Sequence, residues 1–280
     1  MYGALAGAMD VAMNTQAVGV EAEAGKSIMS SLHGMWSVGG LLGSGVGVLA
    51  AHGHVDARIH LALMAGVLLV VGQLACRGLP HTPPPEGDED IPHFVRPTRP
   101  VLLIGLLGFC GVFAEGASAD WCAVYLRDVM SSSDATAAAA YSGFAAAMST
   151  ARLAGDVIVR RLGAVGAVRL SGGVGLAGAL LVVVSRTPPL GISGFALIGL
   201  GVSVVVPLAF AAGGRAVPHA GHGIAGVATI AYGAGLAAPG IIGAIADVAS
   251  LPAAFVVVAG FMALVAVGAP ALRVADRVPA

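Results

Sequence analysis

The sequence predicts an all-α fold, a polytopic membrane bundle of about nine transmembrane helices. The first observation is composition: of 280 residues, 57% are hydrophobic and 10% are charged, whereas a soluble chain carries about 25% charged residues. The second is the recurrence of apolar stretches close to the ~20 residues that a helix needs to cross ~30 Å of hydrocarbon. The third is the combination of 42 glycines with 5% aromatic residues, which favours packed helices over the ~10-residue alternating strands of a membrane barrel.

Turn-forming residues separate the apolar stretches. The segment "AHGHVDAR" follows the second stretch, and "SRTPPLG" follows the sixth. Pro218 and Pro252 stand at the start of the eighth and ninth, where a missing N–H costs nothing. The predicted spans are residues 2–22, 29–51, 58–77, 100–125, 137–159, 164–185, 190–213, 220–246 and 252–272.

The basic residues are divided unevenly between the two sides of the membrane. Nine spans place the chain ends on opposite sides, and of 14 Lys and Arg residues only Arg58, Arg127 and Arg186 then fall on one of them. Cytoplasmic loops carry the excess of basic residues. The expected location is therefore the cell (inner) membrane, as a multi-pass protein with a cytoplasmic C-terminus and with Met1 outside.

One loop differs from the others in composition. Residues 78–100, "GLPHTPPPEGDEDIPHFVRPTRP", are polar, Pro-rich and acidic in their middle. Such a segment buries too little apolar surface to fold by itself and is typical of a flexible linker. The predicted organisation is a partial N-terminal transmembrane half of three helices at 1–77, a cytoplasmic linker at 78–99, and a C-terminal transmembrane half of six helices at 100–280.

Four segments carry a family resemblance: "DVAMNTQAVGVE" at 10–21, "SIMSSLHGMWSVGG" at 27–40, "FAEGASADWCAVYLRD" at 113–128 and "ARLAGDVIVRRLG" at 151–163. Together they resemble the major facilitator superfamily, and within it the fucose-permease-like bacterial inner-membrane transporters. The resemblance implies a fold of two six-helix halves with both ends in the cytoplasm. It also implies that this chain corresponds to helices four to twelve, a truncated major-facilitator fold of 3 + 6 helices.

Asp10 and Asn14 lie one helical turn apart near the middle of the first predicted span. A charge at the bilayer centre costs about 2.5–3.5 kcal/mol on insertion scales, so it needs a partner or a wet cavity. Two interpretations of Asp10 remain open. The carboxylate lines a substrate cavity and takes part in proton coupling, or it pairs with a basic group on another helix.

Three ring-bearing residues are further candidates for the site. His33 could titrate near neutral pH, but its position about one turn inside the cytoplasmic boundary favours a structural or gating role. Trp36 is either an aromatic wall for a sugar-like ligand or an interfacial anchor. Tyr232, in the eighth span, can project its hydroxyl into a cavity.

Two acids in the fourth span differ in predicted depth. Glu115 lies about fourteen residues, or ~20 Å, past the cytoplasmic edge, and a buried ionisable residue is a functional candidate by default. Asp120 lies a further ~7 Å out, where a solvated or gate-pairing acid is favoured. Glu115 and Asp10 are the deepest acids, one in each half, and neither has a basic residue within two turns. Both are therefore predicted to take part in proton coupling, unless a distant arginine pairs with them.

The segment 151–163 places four charged residues at helical spacing at the end of the fifth span. The resemblance implies that this is the family's signature loop, which couples helix movement to the inward or outward state. We expect Asp156 to cap the following helix or to pair with arginines across the half. The predicted conformational residues are Arg152, Asp156, Arg160 and Arg161.

The sequence argues against an enzyme. "GISG" at 191–194 fits the G-x-S-G string of intramembrane serine proteases, but Ser193 begins its helix on the outer side. His219 and His222 lie in a cytoplasmic loop, whereas a Ser–His pair must approach to ~3 Å. No P-loop string is present, and the three cysteines lack the spacing of a zinc site. We expect no catalytic residue, metal or cofactor; the expected partners are the lipid bilayer and an unidentified small molecule, with no nucleic acid.

The sequence-based hypothesis is a secondary active transporter, a permease for a small polar solute such as a sugar. Transport would be symport with protons, with alternating access between two helical halves. The alternative is an inactive truncated fragment, or a membrane scaffold that needs a second polypeptide. The DNA upstream of Met1 would separate the two, because three further apolar segments in frame would favour the transporter.

Overall fold

The computed structural model describes residues 2–79 and 96–276, and every regular element within them is helical. Most helix ends lie within a few residues of the predicted spans, whereas the predicted linker at 78–99 lies mostly outside the described residues. The helices are α1 (Tyr2–Ala24), α2 (Met29–His52), α3 (Ala57–Cys76), α4 (Arg99–Met130), α5 (Asp134–Val184), α6 (Pro188–Val202), α7 (Val205–Arg215), α8 (Ala220–Val248), α9 (Leu251–Gly268) and a final 3₁₀ helix (Ala269–Asp276).

Length and composition allow six helical stretches of the described residues to cross a membrane, so the prediction of about nine spans is not confirmed. Although α1 and α2 have 23 and 24 residues, they fall outside this set. Polar side chains, Asp10 and Asn14 among them, lower the hydropathy of α1. The six stretches are Ala57–Cys76, Arg99–Met130, Asp134–Val184, Pro188–Arg215, Ala220–Val248 and Leu251–Ala275.

The longest helix, α5, has 51 residues and is interrupted at one of them. A straight helix of this length would extend ~77 Å, more than twice the ~30 Å of a hydrocarbon core. Gly163 has φ 70° and ψ 168°, a backbone conformation that glycine adopts at little steric cost. The predicted spans 137–159 and 164–185 therefore meet at a single glycine rather than across a loop.

Contacts between Cα atoms divide the chain into two compact units, Met1–Gly34 with Val95–Ala280, and Met35–Phe94. The second unit holds the remainder of α2 and the whole of α3. Asp56 caps α3 by accepting a hydrogen bond from the Arg58 amide at 2.8 Å. No residue of α3 is buried. The division into 1–77, 78–99 and 100–280 stays a prediction.

An aromatic cluster lies in one half of the core of the first unit. The rings of Tyr125, Phe195 and Phe255 meet edge to face, with centroids 5.3–5.8 Å apart. The buried Tyr125 hydroxyl donates to the Val182 carbonyl oxygen at 2.9 Å, so the phenol is satisfied away from water. This cluster holds α4, α5, α6 and α9 together.

Glycine sets the distance between α5 and α6. A Cβ atom on Gly178 would lie 2.7 Å from both the Gly194 carbonyl oxygen and the Ile198 amide nitrogen. Only a residue without a side chain permits this backbone approach, which is a common basis of helix association in membranes. By contrast, a Cβ on Gly173 of the same helix would meet nothing within 4 Å.

We predict that Gly178→Ala destabilises the protein by about 1–3 kcal/mol, because the new methyl group must push α5 and α6 apart. Gly173→Ala is the matched control. It should be neutral or stabilising by up to about 1 kcal/mol, since alanine favours the helix and nothing obstructs it. Thermal unfolding of both variants in detergent tests this packing. Equal stability of the two variants would contradict it.

Candidate functional site

A polar group inside the first unit begins with Asp10 on α1. The Tyr232 hydroxyl of α8 donates to Asp10 Oδ2 at 2.9 Å. Asn14, one turn further along α1, donates from Nδ2 to Asp10 Oδ1 at 3.2 Å and to the Asp10 carbonyl oxygen at 2.9 Å. Of the two interpretations of Asp10, pairing with a basic group is not supported, because the described residues form no ion pair with it. The carboxylate is half-buried and is held by neutral donors.

His33 on α2 extends this group. Its Nε2 lies 3.0 Å from Asn14 Oδ1, and because Asn14 Nδ2 already donates to Asp10, Oδ1 accepts and Nε2 carries the proton. The imidazole stacks on Phe210 at 5.9 Å, and Phe210 meets Tyr232 at 6.0 Å. His33 thus contacts the same group as Asp10, whereas the sequence favoured a gating position.

An ion pair joins α4 and α5 near these polar residues. Arg152 Nη2 donates to Glu115 Oε1 at 3.0 Å and to Oε2 at 2.8 Å. The Arg152 side chain is 8% exposed and that of Glu115 27%. The Tyr232 hydroxyl lies in the neighbourhood of both charged groups, and His33 in that of Arg152. The sequence has no basic residue within two turns of Glu115, and the partner is an arginine 37 residues away.

We call these six residues the central cluster: Asp10, Asn14, His33, Glu115, Arg152 and Tyr232. Two charges in it neutralise one another, and Asp10 is left as the uncompensated acid. Four buried polar side-chain atoms have no hydrogen-bond partner among the described residues, and Arg152 Nε and Ser118 Oγ are two of them. Unsatisfied buried donors are costly, so α4 and α5 contribute unused hydrogen-bonding capacity.

A second polar group surrounds the N-terminus of α2. Asp156 of α5 accepts hydrogen bonds from the amides of Ser30 at 3.0 Å and Ser31 at 2.9 Å. Glu21 of α1 accepts from the amides of Ile28 and Met29, both at 2.8 Å. Asp156 therefore caps a helix 125 residues away rather than the next one along the chain.

Arginines complete this second group. Arg215 of α7 forms an ion pair with the buried Glu21 and donates from Nη1 to the Ala275 carbonyl oxygen at 2.6 Å. Arg160 Nη1 donates to the Ser27 carbonyl oxygen at 3.3 Å. We call Glu21, Asp156, Arg160 and Arg215, with the α2 N-terminus, the end network. The Ser30 hydroxyl, which donates to the Arg152 carbonyl oxygen at 2.8 Å, links it to the central cluster.

Three predicted site residues lie outside both groups. Trp36 belongs to the second unit, where its side chain is 65% exposed. Asp120 and Arg161 are exposed, and no hydrogen bond or ion pair to either is formed by the residues that the structure describes. The sequence also placed Arg152 with the signature loop. Arg152 lies eight residues before Arg160, or ~12 Å deeper along the helix. This greater depth is the sequence feature that could have indicated its place in the central cluster.

Comparison with known proteins identifies the family. The sequence model of the Major Facilitator Superfamily matches residues 1–239. The chain is 39% identical over 283 residues to the uncharacterized transporter y4wD of Sinorhizobium fredii, with 98% of this chain and 73% of the relative covered. It is also 39% identical over 282 residues to an uncharacterized MFS-type transporter of Yersinia pestis, with 97% and 71% covered. Membrane protein MosC of Rhizobium meliloti is 31% identical over 254 residues, with 90% and 61% covered.

The fold has counterparts among solved structures. The transporter FucP in the outward conformation superimposes with a TM-score of 0.64 and 17% sequence identity, over 76% of this chain and 54% of FucP. A single-substitution variant of the E. coli fucose:proton symporter FucP gives the same TM-score at 18% identity, over 75% and 53%. The chain thus spans about half the length of FucP. The expected resemblance to a fucose-permease-like fold is confirmed, and the chain belongs to the Major Facilitator Superfamily of membrane transporters.

Proposed function

We propose that this chain serves in a secondary active transporter that moves a small polar solute, with a sugar as the best-fitting class, together with protons. The central cluster is the observation that carries the proposal. It places carboxylate, carboxamide, imidazole, guanidinium and phenol groups on five helices of an apolar bundle. Polar groups at membrane depth are expensive and mark solute or proton pathways. The alternative of an inactive fragment or scaffold is not favoured, because the relatives y4wD and the Yersinia protein are named as transporters.

The chemistry of the cluster supports a neutral hydroxylated solute. Asp10 and Asn14 accept and donate hydrogen bonds, Arg152 Nε and Ser118 Oγ have free capacity, and the rings of His33, Phe210 and Tyr232 form an apolar row. A sugar presents hydroxyl groups at its edge and C–H groups on its faces, so both kinds of surface have partners. A strongly charged solute would have to compete with the Glu115–Arg152 pair.

Asp10 is the proposed proton carrier. Glu115 is neutralised by Arg152, whereas Asp10 is half-buried and is bound by the uncharged donors Tyr232 and Asn14. Protonation of an uncompensated carboxylate removes a charge from the apolar interior. The neutral carboxyl group then costs less to bury while the helices rearrange. The sequence-based hypothesis gave both acids this role; the ion pair favours Asp10.

The end network supports alternating access. It joins α1 and α2 to α5 and α7 at the end that the distribution of basic residues predicts to face the cytoplasm. FucP, whose fold is similar, was solved in the outward conformation. We propose that the end network closes the cytoplasmic side of the inner membrane in the outward state, with the C-terminus cytoplasmic, and that its opening gives the inward state.

The coupling role predicts that Asp10→Asn abolishes solute-dependent proton uptake while solute exchange without a gradient survives. The amide oxygen can still accept the hydrogen bond from the Tyr232 hydroxyl, but the amide cannot release a proton. The assay uses proteoliposomes that contain a pH-sensitive dye, with L-fucose, hexoses, pentoses and polyols as the solute panel. Counterflow of the same labelled solute measures exchange.

Asp120→Asn is the matched control for this experiment, because it makes the same change at an exposed acid. It should retain both proton uptake and counterflow. Proton uptake by Asp10→Asn at the wild-type rate would remove Asp10 from the coupling step. Absence of flux and counterflow for every solute in the wild-type protein would contradict the proposed transport of a hydroxylated solute.

The ion pair predicts a non-additive effect on stability. Arg152→Gln should lower the free energy of unfolding by about 3–5 kcal/mol, because it leaves the Glu115 carboxylate without its cation. The double variant Glu115→Gln/Arg152→Gln should recover a large part of that loss, since neither charge remains.

A double-mutant cycle from thermal unfolding measures this coupling. Arg161→Gln is the control, because it removes an exposed arginine from the same helix and should change stability by less than about 0.5 kcal/mol. Additive effects of the two substitutions would show that Glu115 and Arg152 do not act as a pair.

A further inference from the structure

A cavity of about 270 Å³ opens within the end network. At ~30 Å³ of liquid volume per water, it has room for several water molecules or for a small ion. Its wall is built from the turn between α1 and α2 on one side and from α5, α7 and the 3₁₀ helix on the other. All of these segments belong to the first unit.

Basic side chains dominate the wall of this cavity. Lys26, Arg160 and Arg215 line it, together with a single carboxylate, Glu21. Arg215 is already paired with Glu21. Lys26 and Arg160 form no ion pair with any residue that the structure describes, so two cationic groups face the cavity without a counter-charge. A further carboxylate nearby is Asp156, which contacts the Ser27 hydroxyl at 3.4 Å.

Two glycines form the part of the cavity wall that carries no side chain. Among the described residues, positive φ angles at glycine occur at Gly25, with φ 60°, and Gly163, with φ 70°. Both residues line this cavity. Glycine at such positions lets the backbone approach a ligand closely. A Cβ on Gly25 would meet nothing within 4 Å, so the space beside it is open.

The helix N-terminus nearby is not available to a ligand. The amides of residues 28–31 at the start of α2 are all bound by Glu21 and Asp156. An anion at this end of the bundle would therefore be held by side-chain cations. Lysine and arginine are the residues that bind phosphate groups, arginine through its planar fork and lysine as a point charge.

We propose that this cavity is a binding site for a phosphate-bearing anion, either a free phosphate or the phosphodiester of a lipid headgroup with a net negative charge. The anion would bridge Lys26, on the turn between α1 and α2, with Arg160 on α5. Because it contacts both sides of the end network, it binds the closed arrangement more tightly than an open one. The anion thereby shifts the equilibrium toward closure of this end. The site is separate from the central cluster and does not depend on which solute is transported.

The test uses the purified full chain in nanodiscs and measures the midpoint of thermal unfolding. In phosphatidylcholine nanodiscs, inorganic phosphate should raise the midpoint by about 2–4 °C relative to sodium chloride of equal ionic strength. If the ligand is a lipid headgroup, phosphate has no such effect and replacement of part of the phosphatidylcholine by phosphatidylglycerol raises the midpoint instead. Either result supports the site and identifies the source of the anion.

The neighbouring arginines supply a matched pair of variants. Lys26→Ala and Arg160→Ala should both lose the shift, whereas Arg161→Ala, which removes the adjacent exposed charge, should retain it. Two variants on different segments keep the test valid if one of them folds poorly. The proposal is overturned if neither phosphate nor phosphatidylglycerol shifts the wild-type midpoint. It is also overturned if Arg161→Ala loses the shift as fully as Arg160→Ala, since the effect would then come from diffuse surface charge.

Discussion

The N-terminus of α2 is held by two carboxylates from distant parts of the chain, and the arrangement of the polar residues depends on this contact. A helix leaves its first amides without intrahelical partners, which is costly in a medium that contains little water. Glu21 accepts from Ile28 and Met29, and Asp156 accepts from Ser30 and Ser31. Negative charge at this position is also favoured by the helix dipole. Four amides are thus satisfied by one residue of α1 and one of α5.

This contact fixes the position of the residues that follow in α2. Ser30 reaches the Arg152 carbonyl oxygen, and His33, one turn later, reaches Asn14. The same two carboxylates therefore set both the packing of the helices at one end of the bundle and the position of an imidazole in the central cluster. A movement that releases Asp156 from α2 would also move His33 relative to Phe210 and Tyr232. This mechanical link gives the proposed alternating access a physical path from the end network to the central cluster.

Much of the fold could be predicted from local sequence, because helix length, turn residues and apolar composition act over short distances. The central cluster was predicted in part: Asp10, Asn14, His33, Glu115 and Tyr232 stand out as polar residues in apolar stretches. Their partners could not be read from spacing. Glu115 meets Arg152 across 37 residues, Asp10 meets Tyr232 across 222, and these pairings depend on how the helices pack. Arg215, the partner of Glu21, has no distinctive local signal, since a basic residue at a helix end is common.

Hydrogen exchange at the α2 N-terminus, measured by mass spectrometry on peptides that cover residues 27–32, tests most directly whether the two carboxylates hold this helix in place. We expect slow exchange in the wild-type protein. Asp156→Asn should raise the rate by about tenfold or more, because hydrogen bonds to a charged acceptor contribute ~1.5–3 kcal/mol each. Asp120→Asn, which removes an exposed acid, should leave the rate unchanged. Fast exchange in the wild type, or an unchanged rate in Asp156→Asn, would contradict the claim that this carboxylate holds α2 in place.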